Sequence, residues 1–176
     1  MFRLGSRVLS TGLRSTLARA VHAEAKIAAL GLEMPSPAVP KGNFVNFLQI
    51  DNMVYLSGHL PQPADGPLVV GKVGEDLSVE QGYEASKLVG LNLLATLKHH
   101  LGDLDKVKRI VKLFGLVNCT NGFTQQPAVV NGCSDLMVKV FGENGTHVRS
   151  AVGTNALPLG VAVEIEAVFQ LHEPTK

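Results

Sequence analysis

Tryptophan is absent from this chain of 176 residues, and aromatic residues make up only 5% of it. Proteins that bind single-stranded RNA usually stack unpaired bases on aromatic side chains, and this chain has few of them. Sixteen Lys and Arg residues nearly balance fifteen Asp and Glu residues, so the formal net charge is only +1. Because no strong positive field would attract phosphates, nucleic-acid binding is an unfavoured function.

Sequence motifs for cofactors, metals and membranes are also missing. Only two cysteines occur, Cys119 and Cys133, with no CxxC pair and no histidine at ligand spacing, so neither a disulfide framework nor a zinc site is expected. The chain contains no Walker loop and no GxGxxG, GxSxG or HExxH pattern. No apolar run approaches the ~20 residues of a membrane span. We therefore expect no cofactor, no metal and no membrane segment.

Residues 1–22 have a composition of their own. They contain four arginines, several Ser and Thr and no acidic residue, and their apolar residues recur at helical spacing. The arginines are Arg3, Arg7, Arg14 and Arg19. An Arg-rich, acid-free amphipathic segment is typical of a mitochondrial transit peptide. We predict targeting to the mitochondrial matrix; the alternative is a basic arm that stays on a cytoplasmic protein.

With 45% apolar residues, the chain is long enough for one domain with a real core. Residues 23–41 indicate a short helix and a proline-punctuated linker, which places the domain proper at residues 42–176. This domain opens with a predicted β-hairpin that turns at Asp51 and Asn52 and ends at Gly58. A short strand is predicted at residues 68–70.

Two long helices are predicted within the domain. Ser78 and Gln81 form a capping box at the start of the first helix, and Gly102 stands at its end. The second helix begins near Pro127, a favoured first-turn residue, and runs to Phe141. Both helices carry wide apolar stripes, which require a sheet to pack against.

Two long strands provide that sheet. Residues 107–118 alternate apolar and polar side chains, with Val111 expected on the face that carries Val107 and Leu113. Residues 161–171 form the last strand, on which Glu164 and Glu166 share one face. The segment between the second helix and this strand is interpreted as a loop. The order of elements predicts an α+β fold with both main helices on one face of a mixed sheet.

Three segments together resemble the Rid family, formerly called YjgF and often described as endoribonuclease L-PSP. They are SGHLP at residues 57–61, the helix that carries Asn131, and HVRSAVGTNALPLGVAVEIEAV at residues 147–168. Their order and spacing match over residues 42–172. Residues 122–142 are also similar to the pattern GFTxQPxVVNGxSDLMVxVFG of a longer, chorismate-mutase-like subfamily.

The resemblance implies a chorismate-mutase-like α+β fold, a homotrimer and clefts between the subunits. Better-characterised relatives hydrolyse reactive enamines and imines to 2-keto acids and ammonia without a cofactor. The expected function is therefore a Rid-like imine deaminase. The expected partners are a small carboxylate substrate and two further copies of the chain.

The resemblance also implies site residues. Arg149 matches the arginine that binds the substrate carboxylate, and its rigid fork of donors suits that task. Glu164 matches a carboxylate that orients water or accepts its proton, which requires a raised pKa. Gly58 matches the position whose backbone approaches the ligand, and Asn131 matches a position near the cleft. The plainer alternatives are a surface arginine, a solvated strand carboxylate and a loop-capping asparagine.

Two positions depart from the family pattern. Ala151 stands where the family has a characteristic cysteine, two residues after the arginine, so only its backbone groups could contact a ligand. Phe44 aligns with a tyrosine of many imine deaminases and has no hydroxyl to donate. Both remain candidate substrate-binding residues, but the chemistry of their side chains is changed.

Two other function classes remain open. An endoribonuclease would need acid–base residues, for which His59 and His147 are the candidates, although each is more simply interpreted as a loop histidine. A non-catalytic trimer that binds a small carboxylate, or acts as a chaperone, would keep the cleft without turnover.

Overall fold

A computed structural model describes residues 22–173 of the chain. The predicted transit peptide lies outside the described residues, apart from His22, and remains a prediction. The helices and strands are α1 (Ala23–Ala29), β1 (Phe47–Ile50), β2 (Met53–His59), α2 (Val79–Leu101), β3 (Val107–Asn118), α3 (Gln126–Phe141), β4 (Val148–Thr154) and β5 (Val163–Leu171).

The strands form one five-stranded sheet in the order β1-β2-β5-β3-β4. Only β3 and β4 are parallel, and the other neighbours are antiparallel. The apolar faces of α2 and α3 share one hydrophobic core with the inward side chains of the sheet. The predicted α+β fold with a mixed sheet and helices is therefore confirmed. The opposite face of the sheet, which we call the outer face, carries no helix in the described part of the chain.

The ends of α2 follow its predicted signals. Ser78 Oγ accepts from the backbone N–H of Gln81, and the Gln81 side chain accepts from the backbone of Ser78, so the capping box forms. Gly102 ends the helix at φ 77°, a left-handed conformation that favours glycine. The hairpin is also confirmed, with Asp51 at φ 53° between β1 and β2.

Helix α3 begins at Gln126, one residue before the predicted proline, and ends at Phe141. It crosses α2 closely at Gly132, where a Cβ atom would lie 3.0 Å from the backbone nitrogen of Lys87. The short helix α1 belongs to the same core, since Ala23 and Ile27 are buried there. Asp105 accepts hydrogen bonds from the backbone N–H groups of His22 and Ala23 and so fixes the start of α1.

Three details of the sheet differ from the sequence-based predictions. The predicted strand at 68–70 is reduced to a single bridge between Val70 and Val161. Irregularities in the β3–β5 register turn Ile110 into the core and leave Val111 half-buried, because each β-bulge reverses the alternation. The predicted loop before the last strand contains β4, an edge strand whose outer face keeps Val148 and Val152 exposed.

Candidate functional site

Arg149 lies on β4 beside the inward-facing Leu113 of β3, and its side chain extends along α3. Its Nη1 donates to Asn131 Oδ1 and to Ser134 Oγ, both at 2.9 Å. Its Nη2 donates to the carbonyl oxygen of Pro127 at 3.3 Å. Helix α3 thus holds the guanidinium by accepting three hydrogen bonds, two of them at side chains one helical turn apart.

The hydrogen bonds to α3 leave part of the arginine fork unused. A guanidinium has five N–H donors, and partners among the described residues engage three of those on Arg149. The remaining donors are Nε–H and one N–H of Nη2, which can lie along the same edge of the guanidinium plane. This edge has the geometry for a bidentate bond to a carboxylate.

Asn131 and Ala151 take different places around this arginine. Asn131 is exposed on α3 and accepts from Arg149, so it orients the predicted carboxylate-binding group. Ala151 pairs with Gly115 of β3, and its half-buried methyl group packs against the core. Ser134 was missed at the level of sequence, although its position three residues after Asn131 on one helix was a usable signal.

Glu164 lies on the outer face of β5, directly against the backbone of β2 at Gly58. A Cβ atom at Gly58 would stand 2.7 Å from the Glu164 carboxyl carbon and would collide with Oε1. The absence of a side chain at Gly58 therefore creates the space that the Glu164 carboxyl group occupies. The family resemblance points to both residues, and they lie together in the structure.

The pKa of Glu164 is raised above its usual value. Partial burial is the larger cause, because it disfavours the charged form, and the negative charge of Glu166 adds to it. Glu166 is two residues along the same strand and faces the same side. A carboxylate with a raised pKa accepts a proton more readily than an ordinary one.

An open cavity of about 360 Å³ lies on the outer face, next to Glu166. Its lining includes Phe44, Ser57, Lys112 and Glu166. The hydroxyl oxygen of Ser57 is buried and has no hydrogen-bond partner among the described residues. An unpaired buried hydroxyl costs free energy unless a ligand or water completes it. Phe44, which is 55% exposed, contributes an apolar ring to this lining.

The candidate residues fall into two groups. Arg149 pairs with Leu113 and Glu164 pairs with Leu116, and these leucines are three residues apart on an unbroken stretch of β3. Because side chains alternate along a strand, Arg149 and Glu164 point to opposite faces of the sheet. Asn131 and Ala151 lie on the side of the arginine, Gly58 contacts the glutamate, and Phe44 lines the cavity on the outer face. One copy of the chain does not bring all six together.

The two histidines considered for RNA cleavage are both engaged. His59 is 3% exposed and contacts the Ser57 carbonyl oxygen and Thr96 Oγ1. Burial lowers the pKa of His59, so its charged form is disfavoured. His147 contacts the Gly145 carbonyl oxygen and Ser134 Oγ. His59 therefore contacts a hydroxyl of α2, and His147 contacts a hydroxyl of α3. No contact among the described residues joins the two histidines.

The described residues contain no cluster of three metal-binding side chains, and none of their helices is long and apolar enough to cross a bilayer. Cys119 and Cys133 are both free and buried. Burial raises the pKa of Cys133 to about 12, so this thiol is inert at neutral pH.

The fold and the site define a small α+β protein with an arginine oriented by α3 at one sheet edge and a partly buried glutamate on the outer face. A family model described as "YjgF/chorismate mutase-like, putative endoribonuclease" matches residues 24–170. This chain belongs to that family, the Rid family, as its sequence motifs predicted.

Individual proteins are similar to this chain over nearly their whole length. Protein TCP17 of Trypanosoma cruzi is 40% identical over 149 residues, which cover 84% of this chain and 93% of TCP17. The crystal structure of Atu1372 from Agrobacterium tumefaciens, a protein of unknown function, is 38% identical with a TM-score of 0.79 and covers 85% of this chain and 92% of its own. A Shewanella oneidensis MR-1 structure described as a "putative endoribonuclease" is 32% identical with a TM-score of 0.82, covering 85% and 99%.

Proposed function

We propose that this protein hydrolyses reactive 2-imino acids to 2-keto acids and ammonia. In that reaction water adds to the imine carbon, the C–N bond then breaks, and the iminium and one water become a ketone and an ammonium ion. The catalysed reaction needs a cation for the substrate carboxylate and a base for the attacking water. The chain carries both groups.

The observation that carries the proposal is the oriented fork of Arg149. Three of its donors are bound to α3, and the remaining Nε–H and Nη2 N–H are available for a carboxylate. A guanidinium held in this way loses little side-chain entropy when a ligand binds. This favours a small anionic substrate that is recognised through two parallel hydrogen bonds.

Glu164 supports the second half of the reaction. Its raised pKa suits a carboxylate that takes a proton from water as the water attacks the imine carbon. The same group can return the proton to the nitrogen as ammonia leaves. Ala151 and Phe44 bring no thiol and no hydroxyl to this scheme, so Arg149 and Glu164 carry it alone.

The two groups can share a substrate only if two copies of the chain meet. The outer face exposes apolar side chains that would suit such a contact, since Leu48 is 50% exposed, Tyr55 is 43% exposed and Val148 is 66% exposed. A cyclic homotrimer would repeat one contact three times, with Arg149 of one copy beside Glu164 of the next. Each contact would then form one complete cleft.

The test couples a pyridoxal-phosphate-dependent threonine dehydratase to the purified full chain and follows the release of 2-oxobutanoate. The wild-type chain should accelerate release beyond spontaneous hydrolysis. Arg149→Lys keeps the charge but loses the fork, and we expect its kcat/KM to fall roughly 10–100-fold, the value of a charge-assisted bidentate contact. His99→Ala, at an exposed site on α2, is the matched control.

Two results would refute the proposal. One is a wild-type rate equal to the spontaneous rate. The other is full activity in Arg149→Lys with an unchanged melting temperature. If the wild-type chain binds 2-oxobutanoate through Arg149 without any turnover, the non-catalytic carboxylate-binding trimer replaces the deaminase.

We also propose that the protein acts in the mitochondrial matrix, on the composition of residues 1–22 alone. A fluorescent protein fused after these residues should enter mitochondria. A fusion in which the four arginines of the segment are replaced by glutamine should stay in the cytoplasm. Cytoplasmic location of the first fusion would contradict the proposal.

A further inference from the structure

His147 lies just before β4 and is connected to Arg149 through a serine. Its Nδ1 is 2.7 Å from the Gly145 carbonyl oxygen, and its Nε2 is 3.0 Å from Ser134 Oγ. The same Ser134 Oγ accepts a hydrogen bond of 2.9 Å from Arg149 Nη1. Three side chains thus form a line from the imidazole to the guanidinium.

The direction of each proton in this line follows from the donors and acceptors. A carbonyl oxygen only accepts, so Nδ1 of His147 carries a hydrogen. In a neutral imidazole Nε2 is then an acceptor, and the Ser134 hydroxyl donates to it. The oxygen lone pairs of Ser134 are thereby left for Arg149. Without His147, this hydroxyl is free to donate to a carbonyl of its own helix, as helical serines commonly do.

The charge state of His147 agrees with this arrangement. Its half-buried position lowers its pKa, and the positive charge of Arg149 lowers the pKa further, against the opposing effect of the hydrogen bond that Nδ1 donates to the Gly145 carbonyl oxygen. The imidazole is therefore neutral at neutral pH. Among the charged side chains of the neighbouring elements, Asp135 of α3 accepts from Tyr83, and Lys112 of β3 lines the cavity on the outer face.

His59 forms a similar histidine–hydroxyl pair that has no arginine beside it. Its Nδ1 also contacts a carbonyl oxygen two residues earlier, and its Nε2 contacts Thr96 Oγ1 on α2. That pair is buried and ties β2 to a helix. The line at His147 differs because its hydroxyl has a further partner, which is the candidate ligand-binding group of the site.

We propose that His147, acting through Ser134, is a positioning residue that fixes the carboxylate-binding edge of Arg149. This role rests on the proposed function of Arg149. His147 does not touch the substrate. It selects the orientation of the Ser134 hydroxyl, and that orientation holds one of the two Nη1 hydrogens of Arg149.

The experiment combines side-chain nitrogen NMR with ligand titration on the full chain. In the wild-type protein, the 15N spectrum of His147 should show a neutral ring protonated at Nδ1, the less common tautomer. The Nη signals of Arg149, assigned from their loss in Arg149→Lys, should be resolved because rotation is restricted. Titration with 2-oxobutanoate then gives the affinity.

Three variants test the line. In His147→Ala the Arg149 Nη signals should broaden, and 2-oxobutanoate affinity should fall roughly 2–10-fold, the value of one neutral hydrogen bond. His147→Gln keeps an acceptor near the position of Nε2 and should restore most of both. His99→Ala, an exposed histidine on α2, should change neither.

An Nε2-protonated His147, or Arg149 signals that are identical in wild type and His147→Ala, would overturn the proposal. If His147→Ala fails to fold, the tautomer in the unaltered protein and the Gln variant decide in its place. A wild-type rate equal to the spontaneous rate in the coupled assay refutes the proposed function but not the role of His147. In that case, or if the chain does not bind 2-oxobutanoate, the Arg149 signals alone decide whether His147 positions the guanidinium.

Discussion

Arg149 and Glu164 lie on opposite faces of one sheet, separated by the single strand β3. The register settles this, because Arg149 pairs with the core residue Leu113 and Glu164 pairs with the outward Leu116. A carboxylate held by the arginine of one copy is therefore out of reach of the glutamate in the same copy. If the two residues act on one substrate, the site belongs to a contact between chains.

A mixing experiment tests this shared site. We expect Arg149→Ala and Glu164→Ala to be inactive separately, and co-refolded mixtures to regain about a quarter of wild-type activity, since random assembly pairs an intact arginine with an intact glutamate at one contact in four. Activity of each mixture is measured against wild type refolded in parallel. Mixtures that stay inactive, although mass spectrometry shows mixed oligomers, would contradict a site shared between copies.

The pH dependence should report the interaction between Glu164 and Glu166. In the proposed reaction Glu164 acts as a carboxylate, so activity should be lost as the pH falls through its raised pKa. Glu166→Gln removes one of the two causes of that raised pKa, and we expect the acid limb of the kcat profile to move to lower pH. Glu173→Gln, which alters a carboxylate bonded to Asn52 beyond the end of β5, should leave the limb in place. An unshifted limb in Glu166→Gln would assign the limb to another group.

Gly58 provides a test of the space around Glu164. In Gly58→Ala the new methyl group would occupy the position of the Glu164 carboxyl oxygen, so the carboxylate must move. We expect turnover to fall about 100-fold, as a displacement of this size commonly causes, while affinity for 2-oxobutanoate changes little.

A double-mutant cycle separates this cause from a general loss of structure. If Gly58→Ala acts through the glutamate, it should have no further effect on turnover in a Glu164→Ala background. Additive losses, or a large fall in melting temperature of the single variant, would indicate damage to the fold instead.

The sequence predicted the elements that local chemistry decides. The ends of α2 followed from Ser78, Gln81 and Gly102, whose capping roles need only neighbouring residues. Strand β3 was predicted with its observed bounds, because an apolar strand between a helix stop and a turn leaves little choice. The family assignment followed from motifs whose residues are contiguous in the sequence.

The relationship between the two groups of the site could not be predicted in the same way. Strand β4 pairs on one side only, and its apolar residues Val148 and Val152 face outward, so its pattern does not resemble a core strand. If β4 is not recognised as a strand, the face of the sheet to which Arg149 points cannot be predicted. The burial of Ile110 in place of the predicted Val111 likewise depends on β-bulges. These bulges are determined by the pairing with β5 and not by the local sequence.

The crossing of α2 and α3 at Gly132 predicts a reversal of the usual effect of alanine in a helix. A glycine-to-alanine change within a helix ordinarily stabilises by up to about 1 kcal/mol. At Gly132, however, the new Cβ would lie 2.9 Å from the Tyr83 carbonyl carbon and would collide with its oxygen, and backbone atoms cannot rotate away. We expect Gly132→Ala to lower the free energy of unfolding by about 1–3 kcal/mol, measured by urea denaturation.

Gly82→Ala is the matched control, because its Cβ would meet only side-chain methyl groups of Val129 and Val73, at 3.1 Å or more. Equal effects of the two substitutions would mean that α2 and α3 do not approach as closely as described.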